Sequence, residues 1–189
     1  MSSPVALPLL CEVTAIEMAP EHRSQLIAHA RRKLRGEYRK DETPVAQAFG
    51  LLAGTGRDDA VETTHVFPLR RNLRTDPVHG AEVDATVREL ATASRTPLEQ
   101  RGWIAAPEEV MEVQERCDAA GTFLFGSYHM HKVPWRHDPL RDTPTALDTA
   151  LGEGQSLWML ILSLVDPERP LLRAFWEGRP EVEAKLLFS

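Results

Sequence analysis

The ten residues from Thr122 to His131 constrain this chain more than any other stretch. They open on the apolar run Thr122-Phe123-Leu124-Phe125 and continue as Gly126-Ser127-Tyr128-His129-Met130-His131. The run predicts a β-strand with the two histidines at its end. Side chains alternate between the faces of a strand, so imidazoles at i and i+2 point the same way. Seventeen residues after His131 comes Asp148, closing the run Pro144-Thr145-Ala146-Leu147-Asp148. A short helix from Pro144 to about Leu151, with Thr143 as candidate N-cap, brings that carboxylate back toward the strand. Two neutral imidazoles and one carboxylate make a three-ligand set suited to Zn²⁺. They leave the fourth position open for water, as catalytic zinc requires. These residues therefore favour a metal-dependent hydrolase. A zinc deaminase is the rival metal chemistry, and the absence of a Pro-Cys-x-x-Cys ligand pair argues against it.

Elements on either side of this strand are legible from hydrophobic period and punctuation. A strand over Val5–Ile16 leads to a helix opened by Ala19-Pro20-Glu21. That helix runs to about Arg35 with Leu26, Ile27, Ala30 and Leu34 inward, and Gly36 stops it. A short helical turn or strand from Pro44 runs into a buried strand ending at Gly54. Gly54–Asp59 reads as a turn-rich loop and Val61–Leu69 as a strand. Arg70–Gly102 has no clean period apart from a helix over Ala81–Ala91, and marks an insertion at about 73–103. Glu108–Ala119 is a helix closed by Gly121. After Thr122–His131 come the loop Lys132–Thr143, which puts His137 and Asp138 in solvent, and the short helix bearing Asp148. Leu157–Leu164 is a fully buried strand, and Pro170–Trp176 and Val182–Phe188 are further strands, with Trp158 and Trp176 in the core. The order predicts one α/β domain over 1–189, a mixed sheet with helices packed against it.

Charge and cysteine usage narrow the function. A formal net charge of −6 argues against a general nucleic-acid binder. Arg23, Arg31-Arg32-Lys33 and Arg35 lie on the first helix and read as its solvated face. Cys11 and Cys117 sit in apolar segments and read as buried, reduced thiols. Met1–Pro8 lacks the basic start and apolar run of a signal peptide, and Leu157–Val165 is too short to span a bilayer. A cytoplasmic protein with no nucleic-acid or membrane partner is expected; the oligomeric state is not legible.

Several segments together carry a family resemblance. They are Ala46-Gln47-Ala48-Phe49-Gly50-Leu51-Leu52-Ala53-Gly54, Pro68-Leu69 with Asn72, Gly126–His131, Pro144–Asp148 and Met159-Leu160-Ile161-Leu162-Ser163. Their order resembles that of JAMM/MPN+ (JAB-type) zinc metallopeptidases, the isopeptidases that cut ubiquitin or ubiquitin-like modifiers from conjugates. The likeness covers residues 20–176, is strongest over 125–163, and is closer to compact bacterial, deubiquitinase-like members. It implies a cytidine-deaminase-like α/β fold, one catalytic Zn²⁺, and a ubiquitin-like protein or its conjugate as partner. The modifier tail would be laid as an added strand along an exposed sheet edge.

Carried over by position, His129 and His131 match the paired zinc histidines. Ten-residue spacing points to Asp142 as third ligand. The Pro-Thr-x-x-Asp context and the distance to Met159 point to Asp148, which is the favoured choice. Thr145 stands where the family has a serine that donates to the oxyanion, and its hydroxyl can do the same. Gln47 stands where the family has the glutamate that shuttles the proton. A carboxamide cannot titrate, so about 10²–10⁴-fold in rate is lost. Glu42, five residues earlier, would need a different backbone to substitute. Two readings of Gln47 follow: a naturally inactive MPN-type binding or scaffold module, or a Glu→Gln inactivated form of a working enzyme. Retention of the ligands and the hydroxyl favours the second. Trp135, in the loop between ligands, is a candidate substrate-docking aromatic.

Overall fold

The computed structural model describes residues 9–91 and 96–189. Its elements run β1 (Ala15–Met18), α1 (Pro20–Leu34), β2 (Phe49–Arg57), β3 (Ala60–Pro68), α2 (Pro77–Leu90), α3 (Pro107–Ala120), β4 (Phe123–His131), α4 (Ala146–Gly152), β5 (Trp158–Ser163), β6 (Leu171–Trp176) and β7 (Glu183–Phe188). Helices α1, α2 and α3 each begin at a proline, where the missing N–H would be unpaired in any case. Helix α3 stops at Gly121, whose left-handed φ of 66° is open to a residue without Cβ. Of the first strand expected from Val5, residues 5–8 lie outside the described residues, as does the Met1–Pro8 segment read for a leader. Leu10–Glu12 forms a 3-10 turn instead of strand.

The element order matches the sequence reading, but the layering does not. The strands close into a barrel in the order β1-β3-β2-β4-β5-β6-β7, with β7 returning to β1. This overturns the expected cytidine-deaminase-like α/β sheet flanked by helices. Closure depends on a four-residue strand. Ala15–Met18 pair in parallel with Ala60–Thr63 on one side and with Lys185–Phe188 on the other. Register shifts between Leu52 and Gly54 add to the bend, because a bulge increases local twist. Gly54 is required there: a Cβ would run into the carbonyl of Glu62. The expected loop over Gly54–Asp59 is therefore strand as far as Arg57, and it turns at Asp58 with φ 53°. Closing the sheet also removes the free edge on which a modifier tail was expected to add.

The main core draws on all seven strands, including Ile16, Leu52, Val61, Phe125, Leu160, Ala174 and Ala184, together with Leu26 and Ala30 of α1. Each large apolar side chain buried here contributes about 1.5–3 kcal/mol. Trp158 and Trp176 meet edge to face within it. A second cluster packs Val113 and Cys117 of α3 against Phe49, Leu51, Ala53 and Phe67 on β2 and β3. Cys117 is buried as expected, whereas Cys11 is exposed, because its segment turns outside the sheet. Among the described residues no helix is long and apolar enough to cross a membrane.

The basic run of α1, read as a solvated face, is partly drawn inward, and a second charged cluster lies in the insertion. Lys33 falls on the same face of α1 as Leu26 and Ala30 and is fully buried. Its Nζ donates to the Thr43 carbonyl at 3.0 Å and lies 3.8 Å from Glu42. Arg32 donates to both Glu42 oxygens, at 2.6 and 2.5 Å. Burial pushes the Glu42 carboxyl up, but the Arg32 hydrogen bonds, the Arg39 N–H and the nearby Lys33 outweigh it and bring it down to about 2. In the insertion, the buried Arg74 donates to Asp84 at 2.7 Å and to the carbonyls of Arg101, Gly80 and Leu98. One guanidinium thus ties α2 to the chain on its far side.

Candidate metal centre

Strand parity decides which way the histidines face. Tyr128 and Met130 belong to the main core, so Ser127, His129 and His131 occupy the opposite face of β4. Phe49 of β2 and Ile161 of β5 flank His129 in register, and both are fully buried. The imidazoles are themselves only 4% and 6% exposed.

Helix α4 supplies the carboxylate. Its N-cap is Thr145, not Thr143, which instead donates its hydroxyl to Asp138 at 2.7 Å. Thr145 Oγ1 accepts the Asp148 N–H at 3.2 Å, and Asp148 Oδ2 accepts the Thr145 N–H at 2.7 Å. This reciprocal capping box holds the helix end and the carboxylate together. Asp148 Oδ1 then lies 3.2 Å from His129 Nε2, Oδ2 lies 3.3 Å from His131 Nε2, and the two Nε2 atoms are 3.0 Å apart. Ligands about 2.0–2.1 Å from a tetrahedral zinc are themselves about 3.3 Å apart, so the donor set fits that ion. Asp142 is engaged elsewhere, 3.4 Å from Arg173.

The electrostatics suit a cation. Burial drives the His131 imidazole toward its neutral form, the form that ligates, although Asp148 opposes this. Burial also opposes ionisation of Asp148, but the two imidazoles beside it hold its carboxyl well below the usual range. His131 Nδ1 lies 3.1 Å from the Arg141 carbonyl, and donating a proton there presents Nε2 to a metal. His129 Nδ1 is buried with no hydrogen-bond partner among the described residues.

Gln47 lies in the segment leading into β2. Lys132 Nζ donates to the Ala46 carbonyl at 2.7 Å, and Met130 N donates to the Ala48 carbonyl at 3.1 Å, so the segment is bound beside the histidines. Asn72 Nδ2 donates to Gln47 Oε1 at 3.4 Å. The same Asn72 accepts the N–H groups of Arg74 and Ile104 on Oδ1, and its own N–H goes to Thr43 Oγ1. Asn72 thus orients Gln47 and joins the two ends of the insertion. Its role needs the fold to be seen; in the sequence it was one residue of the resemblance. Glu42 is committed to Arg32 and Lys33 and supplies no acid to the site.

A cavity of about 530 Å³ collects the three candidate ligands with Gln47, Thr145 and Trp135. Trp103 and Ile104 from the insertion and Leu147 and Leu151 from α4 extend it as an apolar cleft. Trp135 stacks under the Arg141 guanidinium, whose carbon is 3.0 Å from the ring centre, and His137 lies 5.2 Å away on a tilted ring. Asp138, expected in solvent, is buried because it accepts from Thr143 N, Thr143 Oγ1 and Asp142 N and so organises the loop. Burial draws Arg141 down to about 10, still cationic at neutral pH. No local pattern around Arg141 signals its place.

No family model matches the chain, and no curated protein matches it. A solved structure similar in fold is the solution structure of protein DSY2949 from Desulfitobacterium hafniense. It has 21% sequence identity over 92% of each chain and a TM-score of 0.61. At that identity the likeness is one of fold alone.

Proposed function

We propose that this chain is built as a zinc-dependent peptidase of the JAMM kind, acting in the cytoplasm on the amide or isopeptide bond that follows the tail of a ubiquitin-like modifier. We further propose that Gln47 holds it inactive. The observation that carries this reading is convergence. Donor atoms from β4 and α4 come within 4.8 Å of one another, and Gln47 and Thr145 line the same cavity. A zinc ion bound there would polarise a carbonyl and lower the pKa of a coordinated water.

The chain's own residues supply the rest. Asn72 grips one end of the side chain at position 47, so a glutamate there would be oriented with its second oxygen free to move a proton. The carboxamide of Gln47 can orient a water but cannot take its proton. Thr145 accepts from Asp148 N–H through a lone pair, which leaves its own hydrogen to donate to a developing oxyanion. The apolar cleft would receive the modifier tail, in place of an added strand.

Gln47 itself favours a second reading, a zinc-holding module that binds a ubiquitin-like protein without turnover. One experiment separates the two. Gln47→Glu should raise cleavage of a modifier fusion by about 10²–10⁴-fold over the chain as it stands. Metal analysis should find one zinc per chain, lost in His129→Ala. A zinc-loaded Gln47→Glu chain that leaves every modifier fusion intact would favour the binding module.

A further inference from the structure

Arg141 lines the cleft, and the proposed reaction does not use its chemistry. Its backbone takes φ 52°, a left-handed conformation that costs a side-chain-bearing residue free energy. The surrounding loop enforces it. Arg141 N donates to the Asp138 carbonyl at 3.1 Å, Trp135 N donates to the same carbonyl at 3.0 Å, and the Asp138 side chain is pinned by Thr143. The guanidinium is held flat on Trp135 and faces the cavity. Asp148 and Asp138 act on it through space, but among the described residues no carboxylate forms an ion pair with it, and Nη1 is buried without a hydrogen-bond partner. Its Nε lies 3.2 Å from His131 Nδ1. When His131 Nδ1 donates to the Arg141 carbonyl, as a ligating Nε2 requires, it cannot also accept from Arg141 Nε. In that tautomer the guanidinium has no hydrogen-bond acceptor among the described residues.

A half-buried guanidinium with unmet donors is costly, so a site retains one where a ligand completes it. We propose that Arg141 binds a carboxylate of the substrate within about one residue of the scissile bond, and so selects for substrates that carry one. The spacing follows from its position one imidazole ring away from the ligand nitrogen, against about 3.5 Å of chain per residue. A carboxylate matches the planar guanidinium fork with two parallel bonds. The surrounding charge agrees: a divalent ion balanced by a single carboxylate, with Arg141 alongside, leaves a positive surplus that an anion would neutralise. The carboxylate has two possible sources, the free terminus of the residue beyond the bond or an acidic side chain there. An internal isopeptide to lysine presents neither. The inference rests on the peptidase reading for naming the ligand a substrate, and its test reads binding alone.

The chain as it stands, with and without added zinc, is titrated by calorimetry with three probes. These are acetyl-tetraglycine as the free acid, its C-terminal amide, and an amidated acetyl peptide of the same length with aspartate as the last residue. The free acid or the aspartyl peptide should bind about ten- to a hundredfold tighter than the plain amide, and whichever does so names the source. Arg141→Gln should abolish that preference while zinc content and melting temperature stay unchanged. Should Arg141→Gln unfold, Arg141→Gly, which tolerates the positive φ, takes its place. Equal affinities for all three probes, no detectable binding of any, or a preference that survives in the variant would overturn the proposal. Failure of Gln47→Glu to cut a modifier fusion would leave the acid-over-amide preference standing, so the two readings fail separately.

Discussion

Glu42 offers the sharpest energetic test, because its buried carboxylate stabilises two cations at once. Its side chain is 2% exposed and accepts from Arg32 Nη1, Arg32 Nη2 and Arg39 N, with Lys33 Nζ 3.8 Å away. Glu42→Gln keeps the volume and removes the charge, leaving Lys33 buried without its counter-ion. Breaking a buried pair from one side costs about 3–5 kcal/mol. For a chain of this size that lowers Tm by roughly 6–20 °C. The pH dependence supplies an independent figure. The folded-state carboxyl lies at about 2 against an ordinary 4.5. A depressed carboxylate contributes stability that is fully present above the unfolded pKa and lost as pH falls through the folded one. The parent should therefore lose about 3 kcal/mol through this group between pH 4.5 and 2. The variant should lack that part of the slope. Urea denaturation at pH 7, 4.5 and 2 measures both effects. A variant within 1 kcal/mol of the parent at pH 7, or one with the parent's acid slope, would refute the reasoning.

Two further perturbations address the site and the insertion. Asp148→Ala should abolish stoichiometric zinc binding and also cost about 1 kcal/mol through the lost capping box, measured by metal analysis and denaturation of the zinc-free chain. Arg74→Ala strands the Asp84 carboxylate and the carbonyls of Gly80, Leu98 and Arg101. Amide exchange should accelerate across α2 and its flanking turns and stay slow in β4 and β5; uniform acceleration would mean that the insertion is not a separate cooperative unit.

What the sequence disclosed follows from range. Apolar period and caps are local, so the order of strands and helices was legible, including the helix inside the insertion. Barrel closure was not, because it depends on Ala15–Met18 finding partners 45 and 170 residues away. No local pattern encodes that. Gly54 and Gly56 suggested a loop, when the glycine at 54 serves the close approach of Glu62 within a bent strand. Lys33 could have been placed from its spacing: positions 26, 30 and 33 share a helical face, and charge alone argued otherwise. The His129, His131 and Asp148 cluster was visible because its spacing reflects a strand end and a helix start. The choice of Asp148 over Asp142 rested on the Pro-Thr-x-x-Asp context of the resemblance and the distance to Met159; the fold uses the threonine and aspartate of that run as a capping box. Arg141 and Asn72 act through loop geometry and long-range partners, and their neighbours in sequence say nothing of either.

The parallel seam between β1 and β7 has a bearing on how the molecule comes into being. The strand nearest the start must wait for residues 185–188 before its second side is satisfied. During synthesis, the exposed flank of Ala15–Met18 persists until Lys185–Phe188 have been made, a window in which stray pairing competes with completion. Slow ribosomes, or a stop codon just ahead of Glu183, would therefore be expected to yield aggregates in place of a closed barrel.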